Sequence, residues 1–138
     1  MSKSAPNPAS RITITDSSSQ ITSNIKSAVT DSTQGVTFDP ENRPGVSNLL
    51  TIWSALDDQG RSPQQLASEV ESWGMGKLKS TIGELVVEKL KPVRENYERI
   101  SQDQGYLSEV AAKGRDKARQ QAAITMEEVR KAIGLQSI

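Results

Sequence analysis

The chain opens with Met1, Ser2, Lys3 and Ser4. Serine hydroxyls and a lysine ammonium on a mobile loop can reach phosphate oxygens. An ammonium there can also stabilise charge developing on a leaving pyrophosphate. Taken alone, the tetrapeptide reads as a disordered tail. A second cluster lies far downstream. Lys113, Arg115, Lys117 and Arg119 form a basic patch broken only by Asp116. Spacings of four put Lys113 with Lys117, and Arg115 with Arg119, on neighbouring strips of a helix. Such side chains suit either a solvated face or contact with a nucleic-acid backbone, which needs positive charge but no base recognition.

Other residues point to chemistry less directly. Asp31, Asp39 and Glu41 could bind metal or serve as acid and base, but aspartate favours caps and turns, and structural roles are expected for them. Asn42, Arg43, Pro44 and Gly45 read as an ordered turn. The chain has no cysteine and no histidine. Disulfides, thiol nucleophiles, histidine metal sites and a Ser-His-Asp triad are therefore excluded. Basic and acidic residues balance at 17 each, so the total does not indicate a strongly basic nucleic-acid binder. No apolar run approaches the roughly 18 residues of a membrane span, and no membrane partner is expected. The polar start, with Pro6 and Pro8, is not a secretory signal.

These residues must be positioned by a thin core, since hydrophobic residues make up 34% of the chain and aromatics 4%. Residues 1–10 read as a loop. Arg11 to Thr15 alternates isoleucine with threonine and predicts one short strand with no obvious partner. Ser17 and Gln20 have capping-box spacing, and Ile21, Ile25, Ala28 and Val29 form the stripe of a first helix ending near Asp31. Residues 32–45 form a loop. A second helix begins near Pro44, with Val46, Leu49, Leu50, Trp53 and Leu56 on one face. Ser62, Pro63 and Gln65 start a short third helix carrying Leu66, Ala67 and Val70. Trp73, at its end, is expected to be partly exposed, and Trp53 to be core.

A long helix is predicted over Lys77 to Ile100, kinked by Pro92 near Glu88 to Lys91. Its face is Leu78, Ile82, Leu85, Val86 and Leu90, continued by Val93, Tyr97 and Ile100. Ser101 to Gly105 interrupts. A short helix over Tyr106 to Ala112 is expected to break at Gly114. A last helix carries Ala118, Ala122, Met126, Val129 and Ile133, with Gly134 as its cap. The prediction is an all-α chain of six helical pieces and one strand. Residues 1–44 would be a loop remnant and connector with one helix, and residues 45–138 a helical bundle.

Long blocks carry a family resemblance. MSKSAPNPASRITITDSSSQITSNIKSAVTDS, then TFDPENRPGVSNLLTIWSAL, then the run to VRKAIGL resemble the C-terminal half of the tryptophanyl-tRNA synthetases. The resemblance covers essentially the whole chain. It implies that Met1, Ser2, Lys3 and Ser4 match the last four positions of a Lys-Met-Ser-Lys-Ser loop that closes over ATP. By this resemblance all four would bind ATP, and Lys3 would be the catalytic lysine stabilising the pyrophosphate. It further implies ATP with Mg2+, the substrates tryptophan and tRNA(Trp), a homodimer, and a helical anticodon-binding domain over residues 45–138. Lys113, Arg115, Lys117 and Arg119 would then touch the tRNA backbone. Tyr97 and Tyr106 are candidate base stackers.

The pattern is also broken. The loop's first lysine would precede Met1, and the family's histidine-containing ATP motif has no counterpart here. The expectation is one edge of an active site, inactive by itself, in a truncated gene model, an internal-start product or a partial sequence. The alternatives are a stand-alone helical tRNA-binding module and a non-functional translation product. The loose stretches Asp16 to Gln20 and Asp57 to Ser72 favour the mitochondrial matrix, with the cytoplasm as the alternative.

Overall fold

The computed structural model describes residue 7 and residues 10–135. Among these the chain is all-α, with five helices: α1 Ser18–Ser27, α2 Pro44–Leu56, α3 Pro63–Glu69, α4 Met75–Gln102 and α5 Gln104–Ala132. Along the chain, two compact units run from Met1 to Glu95 and from Asn96 to Ile138.

The first unit has one core. Ile21 and Ile25 of α1 join Val36, then Val46, Leu49, Leu50 and Trp53 of α2, Leu66, Ala67 and Val70, and Leu78, Ile82 and Val86 of α4. The helices start where local chemistry satisfies their free amides. The Ser17 hydroxyl accepts from the Gln20 amide at 3.3 Å, and the Gln20 side chain accepts from the Ser17 amide at 2.8 Å. Ser62 and Gln65 repeat the arrangement at α3, with Pro63 in the first turn. Pro44 opens α2. The Asp57 carboxylate accepts from the Arg61 amide, Nε and Nη2 at 3.0, 3.1 and 2.6 Å, and this closes the α2–α3 turn.

Several expectations are corrected. Residues 11–15 do not form a strand. The Asp16 carboxylate accepts from the Thr13 amide at 2.9 Å and its hydroxyl at 2.5 Å, which curls the segment. The Asn24 amide donates to the Arg11 carbonyl at 3.1 Å. With no partner strand, these side-chain bonds win. Helix α1 ends at Ser27, earlier than expected, and Val29 is 88% exposed rather than on the buried stripe. The Lys79 ammonium donates to the Ala28 carbonyl at 2.7 Å and so terminates the turn.

In the second unit, α5 runs unbroken through Gly114, so the six expected pieces are five. Helix propensity tolerates one glycine, at about 1 kcal/mol, in a 29-residue helix. Asp103 caps it, accepting from the Tyr106 amide at 2.9 Å. Helix α4 likewise continues past Pro92. The stripe expected through Met126, Val129 and Ile133 is not buried among the described residues. Gly134 has φ +75°, the left-handed conformation of a residue following a helix.

Candidate functional site

The most constrained point in the first unit is Arg43, only 7% exposed. It lies just before α2, in the turn from Asp39 to Gly45. Asp39 builds that turn. Its carboxylate accepts from the Glu41 and Asn42 amides at 3.1 and 3.0 Å, and from the Asn42 side chain at 2.8 Å. The Asp39 amide donates to the buried Ser47 hydroxyl at 2.9 Å. The Arg43 side chain then spreads over the loop. Nε and Nη2 meet the two Asp31 oxygens at 3.0 and 2.9 Å. Nη1 donates to Thr37 Oγ1 at 2.8 Å and the Gly35 carbonyl at 3.1 Å, and Nη2 to the Thr33 carbonyl at 3.2 Å. The guanidinium beside it holds the Asp31 carboxyl well below the usual carboxylate range. The amide and side chain of Asn42 lower Asp39 in the same sense.

Asp31 and Asp39 are thus committed to structure, as their residue type suggested. Gly45 completes the packing. A Cβ there would lie 2.2 Å from the Val29 carbonyl oxygen, so α2 begins against the backbone of residues 29–30.

Two open features flank this loop. A groove of about 330 Å3 lies beside segment 10–12, walled by Arg11, Ile12, Asn24, Ala28, Leu49 and Ile52. On the other side, a recess of about 440 Å3 is lined by residues 31–35 and Ser72, Trp73, Gly74 and Met75. Trp73 is half-buried, as expected, and Trp53 is core. The two rings lie 6.0 Å apart with planes tilted by 32°. The Lys77 ammonium sits 4.0 Å from the Trp73 ring centroid, a cation–π contact.

The basic residues of α5 are all exposed, but they do not form one patch. Two residues of helix turn by about 200°. Lys113 and Lys117 therefore share one strip, and Arg115 and Arg119 share another on nearly the opposite side; the strips are not neighbours. Lys113 pairs with Glu109 at 2.6 Å and Arg115 with Asp116 at 3.0 Å. Tyr97 and Tyr106 are each about half exposed. Met1, Ser2, Lys3 and Ser4 lie outside the described residues.

Sequence reasoning missed two organising cations. Arg43 sits in a short run with Asp39 and Glu41, so its long-range partner Asp31 had no local signal. Lys79 reads as a solvated helix residue, yet it holds the end of α1. Among the described residues no cluster of acidic side chains converges to hold a metal ion, so none fits an Mg2+ ion. Among the described residues no helix is long and apolar enough to cross a membrane.

Comparison with known proteins gives a consistent picture. The family model for class I tRNA synthetases (W and Y) matches residues 1–91. A tryptophan–tRNA ligase from Halalkalibacterium halodurans is 42% identical over 135 residues, which is 98% of this chain and 40% of that one. Another, from Nostoc sp., is 40% identical over 134 residues, 97% of this chain and 39% of its own length. The crystal structure of tryptophanyl-tRNA synthetase from Mycoplasma pneumoniae is similar, with a TM-score of 0.70 and 26% identity, covering 99% of this chain and 41% of that one. The chain thus spans about 40% of the length of the relatives it matches.

Proposed function

Because this chain belongs to the class I tRNA synthetases of the W and Y type, we propose that it supplies the helical, tRNA-facing part of a tryptophan–tRNA ligase. That enzyme joins tryptophan to ATP as an aminoacyl-adenylate, releasing pyrophosphate, and passes the acyl group to tRNA(Trp). The observation carrying this reading is 42% identity to a tryptophan–tRNA ligase over 135 residues, 98% of this chain.

In this reading Met1, Ser2, Lys3 and Ser4 close over the ATP phosphates, and the Lys3 ammonium stabilises charge on the departing pyrophosphate. ATP brings Mg2+ with it, and no step is assigned to a metal held by this chain. Residues 45–138 face the tRNA, with Lys113 and Lys117, or Arg115 and Arg119, against its backbone. A homodimer and a mitochondrial matrix location belong to the same proposal. The location rests on the polar composition of residues 16–20 and 57–72.

Catalysis by positioning needs the full set of groups around tryptophan and ATP. The purified chain with tryptophan, ATP and labelled pyrophosphate is therefore expected to show no exchange. It is expected to bind tRNA(Trp) on the order of micromolar, with affinity falling as salt rises. Equal affinity for an unrelated tRNA at moderate salt would overturn the reading. The exposed basic strips of α5 favour one alternative, a stand-alone tRNA-binding module. An antibody to α5 separates the two, because a native band at the size of this chain favours the module.

A further inference from the structure

We propose that the Arg94 guanidinium is a second seat for the Asp16 carboxylate, and that the turn over residues 11–15 straightens when Asp16 leaves Thr13 for Arg94. The first observation is Arg94 itself. Its Nε and Nη2 are both buried, and neither has a hydrogen-bond partner. Buried polar groups are nearly always satisfied, and a charged donor left unmade costs more than an ordinary hydrogen bond gains. The grooves beside segment 10–12 and beside Trp73 do not include Arg94, so the acceptor is sought in the chain itself. Asp16 is within the field of this guanidinium. Bonds from Thr13 hold its carboxyl below the usual carboxylate range, and the charges of Arg11 and Arg94 add to that lowering.

The second observation is what the present pairing leaves unused. Asp16 Oδ2 accepts from the Thr13 amide at 2.9 Å and Oδ1 from the Thr13 hydroxyl at 2.5 Å. Both donors are neutral and belong to an exposed residue. An arginine fork offers a carboxylate stronger, charge-assisted bonds. The Thr13 bonds hold because they close over only three residues, at little cost in chain entropy. The third observation is a pair of isoleucines. Ile12 packs against the core, whereas Ile14 is 45% exposed. Residues two apart share one face of an extended chain, so straightening carries Ile14 to the side of Ile12. It also lengthens the segment. Five extended residues span about 16 Å, and a turn brings its ends within about 7 Å. The consequence for function rests on the ligase reading above. Segment 11–15 joins the tetrapeptide bearing Lys3 to α1, so the seat that Asp16 occupies sets the reach of Lys3.

The test is NMR of the 138-residue chain, with the Arg94 Nε–H signal assigned by its loss in Arg94→Gln. Thr13→Val removes the hydroxyl that holds Asp16 and keeps a β-branched side chain. In that variant the Arg94 Nε–H is expected to shift and to become protected from exchange with water. The backbone shifts of residues 11–15 are expected to move from turn to extended values. Adding Arg94→Gln to Thr13→Val should abolish the extended shifts, which a merely local effect of Thr13 would not allow. Relaxation dispersion on the unmodified chain gives a second reading that needs no variant to fold. Exchange is expected at the 11–16 amides together with Arg94 Nε. An Arg94 Nε–H unmoved by Thr13→Val, extended shifts that persist without Arg94, or a chain free of that exchange would each overturn the switch. None of these readouts involves ATP or tRNA, so their failure leaves the ligase reading standing. Failure of tRNA(Trp) binding would overturn that reading and leave these signals unchanged.

Discussion

The Arg43 guanidinium grips the Asp31 carboxylate side-on, with Nε to Oδ2 at 3.0 Å and Nη2 to Oδ1 at 2.9 Å, across twelve residues of chain. The same guanidinium bonds two loop carbonyls and a hydroxyl. One side chain thus shapes the loop that floors the Trp73 recess. Lysine cannot replace it, because an ammonium lacks the planar fork. Arg43→Lys is expected to lower Tm almost as much as Arg43→Met. Asp31→Asn combined with Arg43→Met should cost less than the sum of the single changes, read from thermal unfolding of all four proteins. Strict additivity would show that the pair does not act as a unit.

Stability should also depend on acid pH. Asp31, Asp39 and Asp57 all titrate below the ordinary 3.8 in the folded chain, and Asp57 is lowered to about 2 by the Arg61 guanidinium and amide. Depressed carboxylates bind protons more readily when unfolded. Their contribution is complete above about pH 5 and is lost progressively as pH falls through the depressed native values, which for Asp57 is about 2. Urea midpoints measured from pH 6 to pH 2 should fall mainly in that window. Asp57→Asn should flatten the fall.

Gly45→Ala should be severe. Its Cβ would lie 2.2 Å from the Val29 carbonyl oxygen, and backbone cannot step aside as a flexible side chain can. A loss of about 3 kcal/mol or more is expected in chemical denaturation. Gly83→Ala makes the contrast, since its Cβ would touch α1 at an ordinary 3.8 Å and should be accepted.

Gly114 lies inside α5, and a methyl group added there would meet nothing within 4 Å. Gly114→Ala should therefore stabilise the helix by about 1 kcal/mol. Circular dichroism melting of the two proteins is the measurement. A destabilised variant would mean that α5 packs through that point.

The two basic strips of α5 give a directional test. Lys113 and Lys117 face away from Arg115 and Arg119, so a duplex backbone can meet one strip and not both. Neutralising the facing pair should lower the salt slope of tRNA binding by about 2, and neutralising the other should leave it unchanged. Equal effects from both pairs would show that charge alone, without orientation, drives the binding.

The family was legible in the sequence, because the order and length of the blocks from Met1 to Leu135 carry it. The helix starts were legible too. Ser17 with Gln20 and Ser62 with Gln65 satisfy amides three residues away, so every partner lies in one short window. What lies between the helices was not legible. A period-two run at residues 11–15 became a turn because Asp16 and Asn24 reached its backbone and no strand did. Val29 left the apolar stripe because Lys79, fifty residues on, closed the helix before it. Asp31 and Arg43 became partners, and Gly45 became irreplaceable, only when α2 docked against residues 29–30. Local hydrogen bonds and hydrophobic period determine where helices begin and which face they bury. The partners of a buried charge, the contacts of a bare backbone and the shape of a recess are set by residues far apart in sequence, and only the tertiary structure brings those together.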